Sequence, residues 1–287
     1  SSDLLLQPLK WKKARRIFVC SMTDLFLDAH TDEMIDRVFA AIAWSRHHTY
    51  QILTKRPRRM RDYSAAMLSL SPKDRTRRLA ASMSPRFADN IPDENVGDLE
   101  WPFPWVWLGV SAENQARADD RVPDLLATPA AVRFVSAEPL LGPIDFLEIA
   151  ERHGSPVACC DRPGCERCDG TGESRAMGIH WVIVGGESGH GARPCDVSWI
   201  RSIKVQCQGA GVPVFVKQLG AKPIIPAHRQ AHWDWGAGIN KEAKFEATNP
   251  LMPSSDPWRV VLKDKKGGDM AEWPPDLRVR EMPEVRS

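Results

Sequence analysis

The sequence has no apolar run of about 18 residues, the length that a membrane-spanning helix needs. Its N-terminus also lacks the basic, apolar and small-residue regions of a secretory signal peptide. Lys and Arg (39) nearly balance Asp and Glu (37), so the formal net charge of +2 gives no reason to require nucleic acid as a partner. We therefore expect a cytoplasmic protein with no membrane segment, and no motif indicates an obligatory protein partner.

The common phosphate-binding motifs are absent as well. The glycine-rich loop GGESGHGARP (185–194) matches neither the mononucleotide P-loop nor the dinucleotide-binding glycine pattern. Its glycines still allow the backbone to approach a ligand closely, and His190 and Arg193 are either ligand contacts or exposed loop residues. The chain begins with Ser1 rather than Met, and its first predicted strand follows closely, so we expect a piece of a longer protein.

What the sequence does have is six short apolar, β-branched runs that each stop at a small polar or ionisable cluster. They are IFVCSMTD (17–24), YQILTKR (50–56), WLGVSAEN (107–114), RFVSAEP (133–139), WVIVGGESG (181–189) and VFVKQLG (214–220). Continuous hydrophobic runs are typical of strands buried on both faces of a parallel sheet, where ligands bind at the carboxyl ends of the strands. The runs predict an α/β protein with its site at that edge.

Segments with helical spacing lie between these runs. Thr31 and Asp196 are predicted N-caps, because each precedes a segment with apolar residues on one face. A helix with a basic outer face is predicted from Pro57 to Leu70, and another helix from Asn114 to Thr128. The alternation of strand and helix favours a (β/α) barrel, complete or partial.

The chain is predicted to have one main domain and a small appendage. Residues 1–220 form the barrel-like domain, into which a cysteine-rich segment is inserted at residues 153–180. After Gly220 the composition changes, and residues 221–287 are predicted to form a β-rich tail or lid. A hairpin is predicted at 258–273, because Lys-Lys-Gly-Gly at its centre is typical of a turn.

Seven cysteines without a secretory signal favour reduced thiols or a metal site over disulfides. Four of them lie close together, and they are Cys159, Cys160, Cys165 and Cys168. Cys165 and Cys168 form a C-x-x-C pair, a spacing at which two thiolates bind one zinc ion. A third ligand is then Cys159 or Cys160, and the fourth is His153, His180 or the other cysteine. We expect a structural zinc knuckle, with a metal-free turn and an iron–sulfur site as alternatives.

Three glutamates follow buried runs by a few residues, namely Glu113, Glu138 and Glu187. In a parallel barrel they would face one mouth, where carboxylates act as metal ligands, as general acid and base, or as acceptors for ligand hydroxyl groups. The alternative is that each caps the helix that follows it. These three residues are the candidate catalytic groups.

Other polar residues accompany the glutamates at the predicted strand ends. Ser111 and Ser136 precede two of the acids in the related sequences Val-Ser-Ala-Glu (110–113 and 135–138). Lys217, next to Gln218, is a donor that suits a carboxylate or phosphate ligand.

The strand segments together resemble a phage and prophage family named for gene products thirty-seven and sixty-eight, a domain of unknown function. The segments are RRIFVCSMTDLF, HTYQILTKRPRRM, VWLGVSAENQ, AVRFVSAEPLLGPI, HWVIVGGESGHGARP and VPVFVKQLG. The resemblance extends from about Leu6 to the C-terminal LRVREMP. Full-length members resemble radical S-adenosylmethionine enzymes, in which a three-cysteine motif after the first strand holds a [4Fe-4S] cluster. No residue of this chain matches that motif.

The resemblance implies a set of residues lining the mouth where S-adenosylmethionine binds. They are Ser111, Glu113, Ser136, Glu138, Gly185, Gly186 and Glu187, to which Lys217 adds a cationic donor. One departure is that the Gly-Gly-Glu turn lies on a late strand, whereas the similar radical-enzyme motif usually lies on an early one.

The resemblance thus implies a partial or modified TIM-like, radical-enzyme-like barrel with a zinc-knuckle insertion and a β-rich tail. The intact protein is expected to act on an unknown substrate, for which nucleic acid is one candidate, with S-adenosylmethionine and a [4Fe-4S] cluster. One alternative is a hydrolase that uses the three glutamates. The other is a phage accessory protein without enzymatic activity that binds DNA or a protein through the knuckle and the basic helix at Arg58, Arg59 and Arg61.

Overall fold

A computed structural model describes residues 2–83, 98–153, 157–158, 173–174, 177–225, 244–247 and 257–283. Six strands form the main sheet, and they are β1 (Arg16–Val19), β2 (Thr49–Thr54), β3 (Val106–Ser111), β4 (Val132–Ala137), β7 (Trp181–Gly185) and β9 (Val214–Gln218). Short strands complete the series, namely β5 (Val157–Ala158), β6 (Glu173–Ser174), β8 (Cys195–Asp196), β10 (Pro223–Ile225), β11 (Lys244–Ala247) and β12 (Trp258–Val261). All six strands that the apolar runs predict are confirmed.

The spatial order of the main sheet, β1-β2-β3-β4-β7-β9, follows the order of the strands in the chain, and its strands are parallel. A doubly wound fold would reverse direction at a switch point in this order. An order without reversal is the connectivity of a (β/α) barrel. The structure therefore confirms an α/β fold with barrel-like winding, while the zinc-knuckle cysteines at 159–168 lie outside the described residues.

Helices connect successive strands of the sheet, as right-handed βαβ crossovers require. The helices are α1 (Ser2–Leu5), α2 (Gln7–Lys10), α3 (Asp32–Ala43), α4 (Pro57–Ser69), α5 (Pro72–Ala81), α6 (Gln115–Leu126), α7 (Phe146–His153) and α8 (Val197–Gly209). Both predicted N-caps are confirmed: Thr31 accepts a hydrogen bond from the Met34 amide, and Asp196 accepts one from the Ser198 amide. Among the described helices none is long and apolar enough to cross a membrane.

The chain divides into two compact units. Within the described residues, the first comprises those of 2–110 and 124–134, and the second comprises those of 111–123 and 135–283. The core of the first unit includes Phe39, Ile52, Met60, Met67, Phe103, Trp107 and Phe134. The core of the second includes Val182, Val184, Ile200, Ile203, Val214, Val216, Leu219 and Trp273. The carboxyl ends of β3, β4, β7 and β9 all belong to the second unit.

The C-terminal region packs within the second unit, where β10 pairs with β8 in parallel and with β12 in antiparallel orientation. The prediction of a hairpin at 258–273 is wrong. β12 pairs with β10 and β11, and residues Met270–Glu272 form a 3-10 helix instead of a second arm. The predicted turn is present, with Gly267 at a φ of +67°. The boundary predicted at residue 220 stays a prediction.

Candidate functional site

Backbone hydrogen bonds hold together the strand ends of the second unit. The Ala112 amide donates to the Ser136 carbonyl (2.9 Å), which joins the ends of β3 and β4. The Leu140 amide, just after β4, donates to the Gly185 carbonyl (2.8 Å) on β7. The Gly186 amide donates to the Gln218 carbonyl (3.0 Å) on β9. The polar residues that follow these four strands therefore lie on one framework.

Glu113, after β3, pairs with a buried arginine of the next helix. Arg121 Nη1 donates to Glu113 Oε2 (3.1 Å) and to the Ser111 carbonyl (2.9 Å). The two side chains are 12% and 9% exposed, so this ion pair is shielded from solvent. Arg121 Nε is also buried and has no hydrogen-bond partner among the described residues. A buried guanidinium nitrogen without an acceptor is costly, because it loses its hydrogen bonds to water.

Glu138, after β4, is bound by two side chains from β9. Lys217 Nζ donates to Glu138 Oε2 (3.0 Å), and Gln218 Nε2 donates to Glu138 Oε1 (3.3 Å). The same amide of Gln218 donates to the Gly186 carbonyl (2.9 Å), so it links β4 to the turn after β7. The Lys217 side chain is 54% exposed and that of Glu138 is 17% exposed. This ion pair therefore reaches solvent.

Glu187, after β7, is bound by a single residue of the glycine-rich loop. Arg193 donates to its carboxylate from the backbone amide, from Nε and from Nη2, each at 2.8 Å. These hydrogen bonds lower the pKa of Glu187 to about 2. In return Glu187, and at longer range Glu113, raise the pKa of Arg193. The sequence left Arg193 as either a ligand contact or an exposed loop residue. In the structure its guanidinium and its backbone amide hold the Glu187 carboxylate in place.

The glycines of the turn serve the protein's own packing. A side chain at Gly186 would collide with the Leu219 carbonyl and touch the Cys195 side chain, and one at Gly185 would crowd the Gln218 carbonyl. The pairing of β7 with β9 shifts register at this point. Ser111 and Ser136 are each 5% exposed, and their role in binding a ligand stays a prediction.

The strand-end cluster is defined here as Glu113, Glu138 and Glu187 with their cations Arg121, Lys217 and Arg193. Each carboxylate has a cation of its own. Among the described residues no group of three or more His, Cys, Asp or Glu side chains could hold a metal ion. The cluster thus brings acidic and cationic groups together at the strand ends of the second unit.

Comparison with known proteins gives a family and no activity. Residues 1–249 match the family model described as "Protein of unknown function (DUF5131)". The chain belongs to this family. No curated protein and no solved structure matches it.

The cysteines of this DUF5131 protein that the structure describes do not form a cluster site. Burial raises the pKa of the Cys195 and Cys207 thiols to about 12, and burial also raises that of Cys20. Among the described residues these three thiols belong to no group of three or more side chains that could hold a metal ion. Cys159, Cys160, Cys165 and Cys168 lie outside the described residues, and the zinc site stays a prediction.

The basic helix of the DNA-binding alternative is largely neutralised by acids of its own unit. Arg59 donates to Asp32 (2.9 Å) and to the His30 carbonyl (2.7 Å). Arg61 forms ion pairs with Asp62 and Asp124. The third arginine predicted to contact DNA, Arg58, is exposed, and among the described residues it forms no ion pair with an acid. This surface gives the alternative little support.

Sequence reasoning missed the cation that each glutamate takes. Arg121 lies within α6, and its side chain reaches back to Glu113 and to the Ser111 carbonyl, a contact that the sequence spacing alone does not indicate. The pairing of Glu138 with Lys217 and Gln218 had no local signal, because the residues are about eighty positions apart and meet only across the sheet.

Proposed function

We propose that the strand-end cluster binds a small molecule with both an amino group and a carboxylate, and that this ligand is S-adenosylmethionine. The observation that supports this most is the Glu138–Lys217 ion pair, which reaches solvent. An exposed ion pair contributes about 0 to 1 kcal/mol, so a ligand can replace it at little cost. The ligand's amino group would then bind Glu138, and its carboxylate Lys217.

The other members of the cluster fit the polar remainder of such a ligand. Arg121 Nε is buried and lacks an acceptor among the described residues, which favours a ligand oxygen beside it. The Gln218 amide already bridges Glu138 and the Gly186 carbonyl, so it orients the carboxylate. Arg193 keeps Glu187 ionised and fixed. These residues bind and orient a ligand, and none of them is assigned a proton transfer.

When bound, S-adenosylmethionine supplies a methyl or adenosyl group that its sulfonium activates. Reductive cleavage would also need a [4Fe-4S] cluster, for which the described thiols do not fit, and we derive no step through it. Radical chemistry, a phage origin and action on nucleic acid rest on the sequence resemblance, and a cytoplasmic location rests on the lack of a long apolar run and of a signal peptide in the sequence. They stay predictions, as does the zinc knuckle.

Isothermal titration calorimetry tests the proposal with three ligands, S-adenosylmethionine, L-methionine and adenosine. We expect S-adenosylmethionine and methionine to bind, because both have the amino acid end, and adenosine to bind more weakly. Glu138→Gln and Lys217→Met should each weaken S-adenosylmethionine binding about tenfold or more, since each removes a charge-assisted hydrogen bond.

The matched control for these variants is Glu148→Gln. Glu148 lies on α7, where it forms an exposed pair with Arg152. This variant should bind like the wild type. Absence of binding heat at millimolar ligand, or equal affinity in Glu138→Gln and Glu148→Gln, would refute the proposal.

A further inference from the structure

A second charged surface lies near the N-terminus of the first unit. Five cations fall within seven residues, and they are Lys10, Lys12, Lys13, Arg15 and Arg16. No Asp or Glu occurs between residues 4 and 23. All five cationic residues are exposed. With a net charge of only +2, the rest of the chain is slightly acidic, so this basic N-terminal surface is a local feature.

The fold holds this surface in place through the loop before β2. The Arg15 amide donates to His48 Nδ1 (3.2 Å), and His48 Nε2 lies 2.9 Å from the Pro8 carbonyl. His47 Nε2 contacts the Trp11 carbonyl at 2.7 Å. The Thr49 amide donates to the Arg15 carbonyl (2.9 Å), which continues the pairing of β1 with β2. The cations therefore project from a fixed backbone.

Several arginines elsewhere in the described chain take acidic partners, as Arg37 does with Glu33, Arg78 with Asp36 and Arg201 with Asp276. Within the described residues, no ion pair joins Lys10, Lys12, Lys13 or Arg16 to an acid. Like charges so close together repel one another, and that repulsion is unfavourable unless an anion binds. The basic N-terminal surface is thus complementary to a partner with several negative charges.

We infer that the basic N-terminal surface binds the phosphate backbone of nucleic acid without reading its sequence. From Lys10 to Arg16 the chain spans at most about 20 Å, a length of duplex axis over which one strand presents up to about six phosphates. The Trp11 ring is covered by the Arg15 guanidinium, which lies 4.4 Å from the ring centre. Trp11 is therefore not a free platform for base stacking, and recognition is limited to the backbone.

The same surface fits a membrane less well. Interfacial binding needs an apolar helix face beneath the cations. Here α1 and α2 have four residues each, and the exposed large hydrophobics nearby, Leu4, Phe18 and Met22, do not lie on one helix. Nucleic acid is therefore the partner that the charge and the lack of an apolar helix face favour.

Fluorescence anisotropy with a labelled 20-base-pair duplex and a 20-nucleotide single strand tests the inference at several salt concentrations. The wild-type protein should bind both, with an affinity that falls steeply as salt rises. The triple variant Lys10→Gln, Lys12→Gln, Lys13→Gln should bind about tenfold more weakly or worse at low salt. Its plot of log K against log salt should lose about 2 to 3 units of slope, about one for each lysine.

The matched control removes three exposed lysines elsewhere, through Lys73→Gln, Lys265→Gln and Lys266→Gln. It should keep the wild-type salt slope and change affinity less than twofold, although its net charge equals that of the first variant. Equal effects of the two triple variants would overturn the inference. So would binding to phosphatidylserine vesicles with no binding to either oligonucleotide. The result is independent of S-adenosylmethionine binding.

Discussion

Acidic residues follow strands in both units, but their partners differ. In the first unit Asp24, after β1, accepts hydrogen bonds from the Phe26 amide (3.0 Å), the Thr54 hydroxyl (2.7 Å) and the Lys55 amide (2.8 Å). In the second unit, among the described residues, Glu138 accepts hydrogen bonds from the side chains of Lys217 and Gln218, and not from backbone amides. The backbone fixes the first acid, whereas the second has partners that can move.

This difference separates a structural acid from an acid that is a candidate for ligand binding, although both follow a parallel strand. Amide donors cannot leave Asp24 without unfolding the turn, so its role is to join the ends of β1 and β2. The Lys217 side chain is half exposed and can turn toward solvent or toward a ligand. Of these two acids, Glu138 is therefore the candidate for ligand binding, because its partners are exchangeable.

The largest expected effect is a loss of stability from a substitution at Gly186, in the turn after β7. Gly186→Ala places a methyl group against the Leu219 carbonyl, and we expect it to lower the free energy of unfolding by about 3 kcal/mol. Gly209→Ala is the control, because its new methyl group meets no atom within 4 Å and Ala favours the end of α8. Urea denaturation measures both. Equal stability of the two variants would show that the close approach of β7 and β9 does not constrain the turn.

The next prediction compares the two acids directly. Asp24→Ala should lower the free energy of unfolding by about 2 kcal/mol, because it leaves two amides and a hydroxyl without their acceptor. Glu138→Ala should cost less than about 1 kcal/mol, because Lys217 can regain water. Chemical denaturation of both variants decides the order. The reverse order would remove the distinction between fixed and exchangeable partners.

The smallest effect is a pH dependence at Glu187. Its pKa is lowered from about 4.5 in the unfolded chain to about 2 in the folded protein, chiefly by the Arg193 hydrogen bonds. The stabilisation is therefore fully present above about pH 5, and is lost as pH falls through the folded value near 2. The melting temperatures of wild type and Glu187→Gln, measured from pH 7 to pH 2, should converge as pH falls. A constant difference would contradict this pairing.

Local signals predicted much of the fold. Each of the six strands is a short β-branched run that stops at a polar residue, and Thr31 and Asp196 lie where helix caps are expected. The hairpin prediction failed because the turn at Gly267 is local, whereas the partners of β12 are the distant strands β10 and β11. Strand pairing at long range depends on packing that no window of sequence contains.

The candidate site was only half predictable for the same reason. The sequence indicates Glu113, Glu138 and Glu187, since each directly follows an apolar run. It does not indicate that Lys217 forms an ion pair with Glu138. Nor does it indicate that the Leu219 carbonyl leaves no room for a side chain at position 186. Both facts arise from the pairing order of β4, β7 and β9 in the sheet.

A crystal structure of the protein with S-adenosylmethionine tests the central claim most directly. The account predicts that the ligand's amino group lies within hydrogen-bond distance of Glu138, with its carboxylate at Lys217 and the Glu138–Lys217 pair opened. A ligand bound elsewhere, or an intact Glu138–Lys217 pair at saturating ligand, would contradict the account.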